Sequence, residues 1–206
     1  MKYRSRIELV GEVVSGPEYS HAAHGREFWK MQVATTRQSG VRDILPVTLP
    51  AEMLETWQPE KGEALYILGQ IRSHAESYDG VNRLCVEVAA AELRAPEPGD
   101  PENAAEVWGV LDFDPKYRLT PFGREIADML VRVPGKYQKV NKIPCIAWGR
   151  NAQLAAALDA GQQIMLRGRL QSRKYTKEGA DGQRHKRTVY EVSAAEITAP
   201  EPEETE

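Results

Sequence analysis

The sequence predicts an all-β protein: two tandem five-stranded β-barrels, each with a short helix between its third and fourth strands. Three observations lead there. The chain carries an internal repeat, a proline-rich acidic break separates the copies, and apolar residues alternate with period two inside each copy. A length of 206 residues suits two domains of about 100 residues each.

The repeat is read by setting IELVGEVVSGPEYSHAAHGREFWKMQV beside AEVWGVLDFDPKYRLTPFGREIADMLV. At a constant offset of 98, Glu8, Gly11, Pro17, Tyr19, Gly25, Arg26, Glu27, Met31 and Val33 recur as Glu106, Gly109, Pro115, Tyr117, Gly123, Arg124, Glu125, Met129 and Val131. The offset becomes 99 where Gly62 and Gly69 meet Gly161 and Gly168, and 104 where VEVAAAEL meets YEVSAAEI. Three blocks kept in order, with gaps only between strands, mark a duplicated domain. The first copy spans 1–95 and the second 103–199. Residues 96–102 form an acidic Pro-rich linker that can continue neither helix nor strand, and 200–206 an acidic tail expected to be disordered.

In the second copy, residues 105–113, 124–133 and 140–149 read as strands. Residues 151–159 read as a helix with Asn151 as N-cap and Gly161 just past its end. Residues 162–175 and 187–198 are strands again, with Ile164, Leu166, Gly168 and Leu170 on one face and Arg167, Arg169, Gln171, Arg173 and Tyr175 on the other. Three strands, a helix and two strands in about 95 residues is the order of an OB-fold barrel.

Composition excludes several classes. Hydrophobic residues make up 41%, too many for a disordered chain, and the longest apolar runs fall far short of the ~20 residues that span a bilayer. The N-terminal stretch has no apolar segment of signal-peptide type, so a cytoplasmic location is expected. Two cysteines, Cys85 and Cys145, suit a reducing compartment, and the histidines His21, His24, His74 and His185 show no zinc-site spacing with them. Nucleotide-binding glycine loops, HExxH and nucleophile elbows are absent, so neither an enzyme nor a cofactor is expected. Asp112 and Asp114, beside Pro115, read as turn residues.

The second copy resembles the bacterial single-stranded DNA-binding protein family. The resemblance is carried by WGVLDFDPKYRLTPFGREIA, IPCIAWGRNAQLAAALDAGQQIMLRGRLQSRKYT and YEVSAAEI, which span nearly all of 104–198. It implies OB folds, sequence-tolerant binding of single strands, and a functional unit of four barrels, hence a homodimer of this two-barrel chain. Replication and repair proteins would be partners. An alternative is an adaptor of the primosomal type that mainly docks other replication proteins. Members of the family end in an acidic tail closed by a hydrophobic tip; this chain ends EPEETE.

Binding a single strand needs cations along the phosphates and flat aromatics under the bases. Lys142 and Trp148, six apart, share the outward face of the third strand. Lys139 and Arg150 sit near its ends, Tyr137 in the loop before it, and Arg167, Arg169 and Arg173 on the fourth strand. By resemblance, Trp148 and Tyr175 match positions where the family stacks bases, and Lys142 departs from it where many members carry another aromatic. Residues 173–187 read as a long-looped hairpin whose Lys174, Lys177, Arg184 and Lys186 would make a basic arm along the strand. Trp57 and Trp108 read as packing residues, as does one of Phe28 and Trp29.

The first copy serves as an internal control. At an offset of 99, Trp148, Tyr175, Lys142, Arg150, Arg167 and Arg169 correspond to Leu49, Glu76, Asp43, Ala51, Leu68 and Gln70. The barrel pattern survives there and the binding chemistry does not. Charge follows suit. Residues 1–95 hold 11 Lys+Arg against 13 Asp+Glu, and residues 103–199 hold 16 against 10. Attraction to phosphate follows local charge, so the net −3 of the chain is compatible with one basic barrel.

Overall fold

The computed structural model describes residues 4–78, 81–135, 139–178 and 184–199. Eleven strands and two short helices follow one another among them. The first repeat gives β1 (Arg4–Ala23), β2 (Arg26–Thr36), β3 (Arg42–Pro50), α1 (Ala51–Thr56), β4 (Ala64–Tyr78) and β5 (Val81–Arg94). The second gives β6 (Asn103–Leu111), β7 (Lys116–Leu119), β8 (Glu125–Pro134), β9 (Val140–Trp148), α2 (Arg150–Ala155), β10 (Gln163–Glu178) and β11 (Arg184–Thr198).

By contact the chain forms two compact units. The N-terminal unit comprises Ile7–Ala104 together with Leu170–Glu191; the C-terminal unit comprises Met1–Arg6, Ala105–Arg169 and Val192–Glu206. In the first, the strand order β2-β3-β5-β4-β1 closes through β1–β2. In the second, β6-β10-β11-β9-β8 closes through β6–β8, with β7 added beside β8. β3–β5 and β11–β9 are the parallel pairs. Alternation puts every second apolar residue inside, and the same repeat positions are buried in both barrels: Leu9 and Val107, Met31 and Met129, Leu65 and Ile164.

The recurring glycines have a steric cause. A Cβ on Gly11 would lie 2.7 Å from the Ala34 carbonyl oxygen, and one on Gly69 2.5 Å from that of Ala89. Gly109 and Gly168 meet the Arg132 and Ser193 carbonyl oxygens still more closely. Neighbouring backbones approach too closely at these points to leave room for a side chain.

Four details differ from the sequence reading. The first strand of the second repeat is broken at Asp112–Pro115, and its continuation β7 is an extra short strand. In the first repeat the same stretch stays one 20-residue strand, β1, which absorbs the bend as register shifts between Val13 and His21. Helix α2 is shorter than 151–159, and its N-cap is Gly149, at φ 53°, not Asn151. The Asn151 amide donates instead to the Ala195 carbonyl (2.8 Å). The fourth-strand outward row is interrupted at Gln171, which is buried and donates to the equally buried Glu191 carboxylate, and resumes at the exposed Arg173. Asp112 and Asp114 act by bonding rather than only by turning: Asp112 holds two cations, and Asp114 accepts from the Ala160 N–H.

The fourth and fifth strands extend into the N-terminal unit beyond Arg169, and one buried carboxylate fixes them there. Asp43 has no solvent exposure. It takes two bonds from the Arg37 guanidinium (2.6 and 2.7 Å) and two from Ser172, through its N–H (2.8 Å) and hydroxyl (2.9 Å). Arg37 also donates to the Ser172 carbonyl (3.0 Å). Burial pushes the Asp43 carboxyl up, but the Arg37 and Ser172 bonds outweigh it and hold it below the usual value. Its stabilising contribution is therefore present above the ordinary aspartate pKa and is lost as pH falls through the depressed one.

Candidate nucleic-acid interface

In the C-terminal unit the outward faces of β7, β8 and β9 run together. Register pairs Arg118 with Ile126 and Ile126 with Trp148, and farther along it pairs Arg132 with Lys142. Directly paired residues point the same way, so the Trp148 indole and these cations share one face. Trp148 is 38% exposed, although Ile146, on the same face of β9, is buried. Lys142 reaches Asp112 at 2.9 Å and Arg132 reaches it at 3.0 Å. Asp112 thus holds both cations on this face. Lys139, just before β9, and Arg150, opening α2, are exposed.

On β10, Arg167 and Arg169 are exposed as expected. Arg167 is not idle: it pairs with Glu106 (3.2 Å) and Glu196 (3.6 Å), and Glu106 also pairs with Arg4. Burial would raise the Glu106 carboxyl, but the two guanidinium partners lower it. A phosphate reaching Arg167 has to compete with these carboxylates.

The remaining sequence-selected residues fall in the N-terminal unit. Arg173 pairs with Glu191 at 3.2 Å, and its guanidinium lies 5.9 Å from the Tyr175 ring centroid. Tyr175 is half-buried, whereas Lys174, Arg184 and Lys186 are exposed. Tyr137 and the side chain of Lys177 lie outside the described residues. The described candidates all lie in the second repeat, although by contact the outer parts of β10 and β11 group with the N-terminal unit.

The internal control needs one correction. The β2–β3 register pairs Phe28 with Pro50, and the β8–β9 register pairs Ile126 with Trp148. Since Phe28 and Ile126 are 98 apart, so are the residues opposite them. The counterpart of Trp148 is therefore Pro50, not Leu49, and that of Lys142 is Ile44, not Asp43. The extra residue enters only after β9, at Gly149. Leu49 and Asp43 are both fully buried, as inward positions must be. The contrast between copies persists with the right partners, since Pro50 and Ile44 carry neither charge nor an aromatic face.

Sequence reading missed the β7–β8 turn. Phe122 is 90% exposed there, with Leu119 61% and Tyr117 43% exposed nearby. Tyr117 donates to the Glu125 carboxylate at 2.6 Å. The signal was available: an aromatic between Pro121 and Gly123 sits in a turn, where nothing buries it. In the first repeat Tyr19 likewise lies on a strand, edge-on to Trp29. Trp57 follows α1 and donates its indole N–H to Glu63 (2.9 Å). Trp108 is half-buried, with a buried indole nitrogen that has no hydrogen-bond partner.

Closed five-stranded barrels with a helix between the third and fourth strands, one of them bearing an exposed indole among cations, define a tandem OB-fold protein. Residues 102–199, the second repeat, match the model of the Single-strand binding protein family. The fold extends the likeness to the whole chain. The wild-type single-stranded DNA binding protein from Thermus aquaticus superposes with a TM-score of 0.79 at 21% identity, covering 100% of this chain and 97% of that one. A deletion mutant of the same protein gives 0.77 at 22% identity, covering 99% of both chains. No curated protein matches the chain.

Proposed function

We propose that this protein binds single-stranded DNA without sequence preference and protects it during replication, recombination or repair, as a binding protein rather than an enzyme. The observation that carries the reading is the exposed Trp148 on one face with Lys142, Arg132 and Arg118, inside the segment that matches the family. An indole offers a stacking surface to any base, and the cations follow a phosphate backbone common to all sequences. Tyr175, Arg173, Lys174, Arg184 and Lys186 are proposed to contribute further contacts, as are Lys139, Arg150, Arg167 and Arg169. Tyr137 and Lys177 belong to the same proposed set.

The test is an oligo-dT titration at several salt concentrations. Single strands release counterions with a slope of about −0.7 per phosphate contact. Roughly five contacts then weaken binding about a hundredfold between about 50 and 200 mM salt. A salt-independent affinity, or preference for duplex DNA, overturns the reading.

We further propose a homodimer presenting four barrels, located in the cytoplasm with the nucleoid. The repeat supports the first point by analogy with a four-barrel unit. Among the described residues no helix is long and apolar enough to cross a membrane. Light scattering of the full chain is expected to give twice its 23.1 kDa. A monomeric mass at micromolar concentration rejects the dimer.

A further inference from the structure

The β4–β5 hairpin of the N-terminal unit gathers three side chains that the linear sequence keeps apart. Its register pairs His74 with Cys85, and Glu76 lies on the same face two residues on from His74. The Cys85 thiol donates to one Glu76 oxygen at 3.3 Å, and the other lies 3.3 Å from His74 Nε2. All three donor atoms fall within 4.8 Å of one another. Around a tetrahedral zinc with bonds of about 2.0–2.3 Å, ligand atoms lie roughly 3.3–3.8 Å apart. The triad therefore needs only side-chain adjustment to close on an ion.

The donor set decides which ion. A sulfur beside an imidazole nitrogen favours Zn²⁺ over Mg²⁺ and Ca²⁺, which take oxygen. The His74 and Glu76 side chains are 42% and 62% exposed, which leaves a path for the ion and a fourth position for water. We propose that His74, Glu76 and Cys85 form a Zn²⁺ site that clips β4 to β5. Glu76 stands where the second repeat carries Tyr175, so the first barrel holds metal ligands at a position that the second gives to an aromatic ring.

Binding replaces the thiol proton, which leaves to the buffer as the Zn–S bond forms. Burial, and after it the Glu76 carboxylate, pushes the Cys85 thiol up to about 11; Lys30 acts against this and Glu87 with it. Tyr190 also lies in this electrostatic environment.

The experiment uses the untagged full-length chain and Co²⁺ as a spectroscopic probe. One equivalent is expected to give a sulfur-to-cobalt charge-transfer band and intense tetrahedral d–d bands, both removed by one equivalent of Zn²⁺. Cys85→Ser is expected to abolish the charge-transfer band, and Cys145→Ser to leave it. The exposed His74→Ala and Glu76→Gln variants, checked for folding by circular dichroism, are expected to bind Co²⁺ at least tenfold more weakly. Absence of the band, its persistence in Cys85→Ser, or wild-type affinity in both exposed variants overturns the site and leaves an ordinary hydrogen-bonded triad.

Discussion

Gly168→Ala is expected to destabilise the C-terminal unit by about 3 kcal/mol, the upper end of what overpacking costs. The added Cβ collides with the Ser193 carbonyl oxygen on β11, which is backbone and cannot rotate away as a side-chain tip can. For a chain of this size that loss lowers the melting temperature by about 10 °C. Gly16→Ala is the matched control, because its Cβ would meet only the Pro59 carbonyl oxygen, at an ordinary 3.7 Å. Calorimetry of the two variants decides the matter. A Gly168→Ala loss below about 1 kcal/mol would mean that β10 and β11 can separate without harm to the barrel.

Trp148→Ala is expected to weaken oligo-dT binding by roughly ten- to a hundredfold while leaving stability nearly unchanged. Stacking contributes about 1–3 kcal/mol per base, and each 1.4 kcal/mol is about tenfold in affinity. The side chain is partly exposed and lies beyond the buried rows of β9, so removing it opens no core cavity. Pro50→Ala, at the equivalent position of the first repeat, is expected to leave affinity unchanged. Fluorescence anisotropy with a labelled oligonucleotide separates the two. An effect of Trp148→Ala below twofold would remove the indole from the interface.

The barrels were legible because their signals are local and duplicated. Alternation identified the inward rows, and the recurring glycines helped to align the two copies. The exposed indole was legible too, because Trp148 has Cys145 and Ala147 on the opposite parity. What stayed hidden depends on register and on long-range pairing. No alternation reveals that Gln171 is buried against Glu191, or that Asp43 is an inward carboxylate with a guanidinium partner six residues earlier. The offset between copies could not be located within β3 and β9 until their neighbours fixed it. His74 and Cys85, eleven residues apart, lacked any metal spacing in the linear sequence; only the hairpin sets them face to face.

The residues that Asp43 holds come from far along the chain, and this bears on synthesis. The N-terminal unit contains Leu170–Glu191, which are made well after β1–β5. The C-terminal unit, in turn, uses Arg4, which pairs with Glu106 of the second repeat. Domains of most multidomain chains fold in the order they are made. Here the boundary inherited from the duplication and the boundary of the folded bodies are different lines, and β11 supplies parts to both bodies. The first barrel can close once β5 is made, whereas the bonds of Asp43 to Ser172 wait for β10.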